Sequence, residues 1–177
     1  MEDVMETNHV NILLVDNHPA EGWKIKTILK QSINPAFRIW LAHSREDALH
    51  ILEKDNIRID IVVLDLFLVD PANPKDTYNI IRHSAKDIPI IVITGKQAHS
   101  LAREVTAEGA EDVIVRERID AHPQRLLDAI EFSMLRNKRL ILLKAKTAGE
   151  IDNHKRMLHL MMGGYSCEIG EAVDASL

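Results

Sequence analysis

Five short apolar runs alternate with amphipathic stretches over the first two thirds of the chain, and this alternation constrains the fold more than any other feature. The runs are Val10 to Val15, Phe37 to Ala42, Ile59 to Leu64, Pro89 to Ile93 and Asp112 to Val115, and their lengths suit strands. Helix signals fill the segments between them. Pro19, favoured at a first helical position, opens a segment with Trp23, Ile25, Ile28 and Leu29 as its apolar residues, which Asn34-Pro35 ends. Ser44, followed three residues later by Asp47, resembles a capping box with Asp in place of Glu, ahead of Ala48, Leu49, Ile51 and Leu52. After the loop Asp70-Pro71-Ala72-Asn73-Pro74, helices are predicted over about Lys75 to Lys86 and over Gln97 to Glu108, with Gly109 as the stop of the second. Strands apolar on both faces, alternating with helices, predict an α/β fold: a doubly wound five-stranded parallel sheet covered on each side through right-handed crossovers.

From about His122 the pattern becomes one long helical stretch, and no strand signal returns. Steps of three and four from Leu127 pass through Ile130, Met134, Asn137, Ile141, Lys144, Ala148, Ile151, Lys155, Leu158 and Met162, and eight of these eleven residues are apolar. Such a seam suits a coiled coil, with Asn137 setting register; the other possibility is a last helix that packs on the sheet and frays near Gly149. The expected organisation is an N-terminal tail over 1–9, a domain core over 10–121, the long helix over 122–162, and a flexible tail over 163–177.

Composition removes several function classes. Lys plus Arg number 22 against 27 Asp plus Glu, and a net charge of -5 leaves no footprint for a nucleic-acid backbone. The single cysteine, Cys167, excludes an internal disulfide and a thiolate zinc site. His154 and His159 are five apart, which does not place two ligands on one helix face. The acidic start Met1 to Glu6 lacks the features of a signal peptide, and the apolar runs are too short to span a bilayer, so a soluble cytoplasmic protein with no membrane contact is expected.

In an open parallel sheet, ligands bind beyond the carboxyl ends of the strands. There the chain carries Asp16 and Asn17 after the first strand, Asp65 after the third, Thr94-Gly95 after the fourth and Arg116 after the fifth. Two carboxylates and an amide oxygen are hard ligands suited to Mg²⁺, which would also relieve the repulsion between Asp16 and Asp65. No G-x-G-x-x-G or G-x-x-x-x-G-K-[ST] is present, Asp16-Asn17-His18-Pro19 is no phosphate loop, and Asp65-Leu66-Phe67 lacks the second aspartate of haloacid-dehalogenase-type phosphatases.

These residues resemble the receiver domains of bacterial two-component response regulators over about residues 10 to 137. The resemblance is carried by Ile12-Leu13-Leu14-Val15-Asp16-Asn17, Val63-Leu64-Asp65-Leu66, Pro89-Ile90-Ile91-Val92-Ile93-Thr94-Gly95 and Gly109-Ala110-Glu111-Asp112-Val113-Ile114-Val115-Arg116. It implies the flavodoxin-like strand order 2-1-3-4-5 and a phosphoryl switch. Asp65 would accept a phosphoryl group from a histidine kinase, and Asp16, Asn17, Asp65 and the backbone carbonyl of Phe67 would bind Mg²⁺. Thr94 would hydrogen-bond the phosphoryl oxygens and Arg116 would supply a cation. Any enzymatic activity would amount to self-phosphorylation from a phosphodonor and autodephosphorylation.

The sequence departs from the family at Asn17, where the acidic pair loses a charge, and at Arg116, where a planar fork replaces a compact lysine ammonium. It departs again at Glu117, where a proline is usual, and at Val113, where an aromatic residue commonly couples to the threonine. An alternative function is therefore a pseudo-receiver, a docking or dimerisation module independent of phosphorylation. In either case the output is expected to pass through a downstream protein partner and a homodimer formed by the long helix, unless the chain is a piece of a longer protein.

Overall fold

A computed structural model describes residues 9–31, 36–66 and 73–162. The elements in chain order are β1 (Val10–Val15), α1 (Pro19–Lys30), β2 (Phe37–Ala42), α2 (Arg45–Leu52), β3 (Ile61–Asp65), α3 (Pro74–Ala85), β4 (Ile90–Thr94), α4 (His99–Ala107), β5 (Asp112–Val115), α5 (Arg116–Ala121) and α6 (Gln124–Met162). The strands form one parallel sheet in the order β2-β1-β3-β4-β5. The doubly wound fold is the one expected from the alternation.

Strand parity divides the core in two. Ile12 and Leu14, Ile61 and Val63, Ile91 and Ile93, and Ile114 face α1, α5 and the start of α6, meeting Ile25, Leu29, Ile119, Leu126, Ala129 and Ile130. The alternate residues Leu13, Val62, Leu64, Ile90 and Val92 face the other side, where Ala48 of α2, Tyr78 and Ile81 of α3 and Val105 of α4 cover them. Both faces are apolar because both are covered.

Local boundaries follow from hydrogen-bond accounting. The Asn11 amide donates to Asp60 Oδ2 at 2.9 Å, so a side chain takes the rung that would have begun β3 at residue 59, and the strand starts at Ile61. Pro89 has no N–H, and β4 starts one residue later although the Pro89 carbonyl still accepts from Val62. Ser44 Oγ accepts from the Asp47 amide at 3.0 Å while Asp47 Oδ2 accepts from the His43 amide at 3.2 Å, which makes the predicted cap real, shifted by one residue at its return bond. Gly109, with φ 96°, reverses the chain after α4 where a side chain would be strained.

Two features differ from expectation. Arg116, which the sequence placed only as the residue after the fifth strand, begins an unexpected short helix, α5, whose six residues have no side-chain cap but carry Glu117 in the first turn and bury Ile119. The seam of the last helix is also not uniform. Ile130 is fully buried and Leu127 and Met134 pack against the same core, so its first positions cover the chain's own sheet. Arg136 Nε to Glu111 Oε2, at 3.0 Å, adds a polar tie there.

The chain divides after Lys138 into two compact units. In the second, the helix continues through Gly149 to Met162, and Leu140, Ile141, Leu142, Leu143 and Ile151 are exposed. Of the expected tails, 1–9 and 163–177, all but His9 lie outside the described residues. Among the described residues, no helix is long and apolar enough to cross a membrane.

Candidate functional site

The carboxyl edge of the sheet is where the apolar runs stop and polar residues are nevertheless buried. Asp16 follows β1, Asp65 ends β3 and Thr94 ends β4, and each is almost wholly buried. Their positions follow from register. Val15 pairs with Leu64, so Asp16 and Asp65 are the next residues on adjacent strands; Asp65 pairs with Ile93, so Thr94 lies one residue beyond it. Thr94 in turn pairs with Val115, which brings Arg116 to the same edge.

Asp16 is held by its own loop. Its Oδ1 accepts the His18 amide at 2.8 Å, a turn that delivers Pro19 to the first position of α1, and its carbonyl oxygen is 3.2 Å from His43 Nδ1. Its Oδ2 is buried and accepts no hydrogen bond. Burial pushes the Asp16 carboxyl above its ordinary range; the His18 amide and then Arg116 pull it back, and the Glu21 carboxylate adds to the rise.

Arg116 ties the edge together. Its parity on β5 is that of Ile114, the parity shared by Val63 and Asp65 on β3, so the side chain points to the α1 side of the sheet. Two strand spacings of about 4.8 Å separate β5 from β3, a reach that suits the long arginine stem. Arg116 Nη2 forms an ion pair with Asp65 Oδ2 and lies 3.7 Å from Asp16 Oδ2. Its Nη1 is 2.7 Å from Glu21 Oε2, in the first turn of α1. Three carboxylates therefore share one guanidinium, and two negative charges remain when all are ionised.

Glu21 is the member that sequence reasoning missed. Its only signal is its place in the first turn of α1, five residues after Asp16. Of the expected residues, Asp16, Asp65 and Arg116 are brought into contact, and Thr94 is buried at the same edge. Asn17 is exposed beside them, and Phe67 lies outside the described residues.

The donor chemistry fits Mg²⁺, which binds through one or two carboxylates and keeps several waters. Asp16 Oδ2, buried without a hydrogen bond, is the atom such an ion would satisfy. Among the described residues, no three His, Cys, Asp or Glu side chains gather closely enough to enclose a metal; Asp16 and Asp65 are the two carboxylates on adjacent strands.

Comparison with known proteins agrees with this geometry. The family model of the response regulator receiver domain matches residues 12–131. The methanogenesis regulatory protein FilR1 of Methanothrix harundinacea is 27% identical over 139 residues, covering 78% of this chain but 30% of that protein, so the chain spans under a third of that relative's length. A CheY-like receiver domain protein from Methanospirillum hungatei shares the fold at a TM-score of 0.61 with 19% identity, over 73% of this chain and 97% of its own. A receiver domain from Clostridium thermocellum gives 0.60 with 24% identity, over 74% and 98%. The non-phosphorylated HemR receiver domain from Leptospira biflexa gives 0.57 with 27% identity, over 71% and 94%. With the family matched across most of the chain and the strand order β2-β1-β3-β4-β5 observed, this chain belongs to the response regulator receiver domain family.

Proposed function

We propose that the chain receives a signal as a phosphoryl group on Asp65, delivered by a histidine kinase. The observation that carries the reading is the placement of Asp65: a buried carboxylate at the end of the central strand, beside Asp16, a guanidinium and the Thr94 strand end. In the transfer, an Asp65 carboxylate oxygen bonds to phosphorus as the bond from phosphorus to the kinase histidine nitrogen breaks, and the histidine keeps the electron pair. An Mg²⁺ held by Asp16 and Asp65, with Asn17 and the residue 67 carbonyl, would supply neutralising charge at the phosphoryl oxygens.

The chain's own residues do the rest. Asp65 is the nucleophile, and Arg116 offsets negative charge at the edge. Thr94 offers a hydroxyl from the end of β4, and its attraction to a new anionic group would shift the loop that follows. The output surface is then the α4 and β5 face, and Val113 gives it no aromatic side chain to reorient. A downstream protein reads this surface, and α6 pairs with a second copy through the residues exposed after Lys138. A kinase charged from ATP sets a cytoplasmic location under this reading.

The test is chemical. Asp65→Asn is expected to abolish the phosphoryl adduct formed with acetyl phosphate, read by intact mass; an adduct that persists on the variant would place the acceptor elsewhere.

A second reading is favoured by one observation, the Arg116 guanidinium seated on Asp65 itself. On that reading the chain is a docking module independent of phosphorylation, and Asp65→Asn changes neither assembly nor partner binding.

A further inference from the structure

The convergence of Asp16, Glu21 and Asp65 on one guanidinium is uneven. Arg116 Nη2 faces the two buried carboxylates, meeting Asp65 and lying 3.7 Å from Asp16 Oδ2. Nη1 faces the rim, 2.7 Å from a Glu21 carboxylate whose side chain is 35% exposed. A planar fork with its two terminal nitrogens on different partners can give up one partner while keeping the other, which a lysine ammonium on a single point cannot do.

Charge makes the inner position contested. The single guanidinium leaves two negative charges, and Asp16 Oδ2 stays buried without a hydrogen bond, so the pair still attracts a cation. A divalent ion binding Asp16 and Asp65 together needs the oxygens that Nη2 now faces, and two cations cannot share them without strong repulsion. Glu21 stands on α1, outside that pair, and its own negative charge favours the guanidinium on the rim side.

We infer that Arg116 is a displaceable counter-cation that closes the Asp16–Asp65 pair to a divalent ion, and that Glu21 is the positioning residue that holds the guanidinium once it has been displaced. The inference rests on the phosphoacceptor reading for its purpose, but cation binding tests it without any phosphodonor. It also accounts for the loss of charge at Asn17: the rim carboxylate is one turn further along, where it acts on the arginine rather than on the ion.

The experiment is calorimetric titration of the full chain with Mg²⁺ alone, on wild type, Arg116→Ala, Arg116→Lys, Glu21→Gln and the double variant Glu21→Gln with Arg116→Ala. Arg116→Ala is expected to bind Mg²⁺ about tenfold more tightly than wild type, and Glu21→Gln several-fold more weakly, with no effect of Glu21→Gln once Arg116 is gone. Arg116→Lys keeps the charge and serves if the alanine variant does not fold. It cannot hold rim and pair together, so tighter Mg²⁺ binding than wild type is again expected.

Unchanged or weaker Mg²⁺ binding on removal of the arginine overturns the inference, as does absence of binding in every variant. An equal effect of Glu21→Gln in both backgrounds also overturns it, since Glu21 would then be a direct ligand. Acetyl phosphate labelling separates the two ideas: tightened Mg²⁺ binding with no adduct on wild type leaves the counter-cation standing and defeats the acceptor reading, and an adduct with unchanged Mg²⁺ binding does the reverse.

Discussion

Asp16 illustrates what a buried carboxylate costs a fold. Burial raises its carboxyl above the ordinary 3.8, so the folded chain holds a proton there more tightly than the unfolded chain does. The stabilising contribution is therefore fully present below the ordinary value and is lost as pH rises through the elevated folded one. At neutral pH, without a divalent ion, the ionised carboxylate destabilises the fold. Asp16→Asn, which keeps an oxygen for the His18 amide, is expected to raise stability at pH 7 by on the order of 1 kcal/mol, with the gain shrinking toward acid pH. Urea unfolding of wild type and variant between pH 5 and pH 8 measures it, and a variant less stable at pH 7 would contradict the assignment.

At this scale the sequence was informative where an apolar run broke off. Asp16, Asp65, Thr94 and Arg116 each follow such a run, so the topology alone gathered them at one edge. Glu21 had no such marker: whether a helical glutamate faces the sheet edge depends on where α1 begins and how far Arg116 reaches. Asn17 sits next to Asp16 in sequence but is exposed, because successive positions at a strand end face opposite sides of the sheet.

Among the elements, α5 separates what periodicity reveals from what it does not. Six residues are too few to display a helical repeat, and the segment lacks a Ser, Thr, Asp or Asn cap, so only tertiary burial of Ile119 marks it. Ile119→Ala is expected to cost about 2 to 4 kcal/mol in urea unfolding, as for a buried core side chain. A loss below about 1 kcal/mol would mean that α5 contributes little to the core. The α2 cap was legible because Ser44 and Asp47 announce a helix start by chemistry rather than by length. Strand starts at residues 59 and 89 were misjudged by one or two positions because Asp60 and Pro89 alter the hydrogen-bond ladder without altering hydropathy.

For the molecule as a whole, the alternation of elements carried the topology, and the parity of buried residues carried the two-sided covering of the sheet. The last helix was legible in length but not in use, since Ile130 and Ile141 look alike in sequence while one packs on the core and the other is exposed. Four consecutive apolar residues, Leu140 to Leu143, exposed on one helix are more than an isolated chain ordinarily leaves in water. Light scattering is expected to give the mass of a dimer for the full chain and of a monomer for a chain ending at Lys138, which should keep its sheet and its site. A monomeric full chain would overturn the proposed pairing.

On the proposed function, this edge of the sheet accepts a phosphoryl group despite Asn17 and Arg116. Intact mass after incubation with acetyl phosphate, with and without Mg²⁺, is the deciding measurement. One phosphoryl adduct on the wild-type chain, formed with Mg²⁺ and absent from Asp65→Asn, is the expected result. No adduct on wild type, under conditions that label a receiver with an intact acidic pair and lysine, would contradict it.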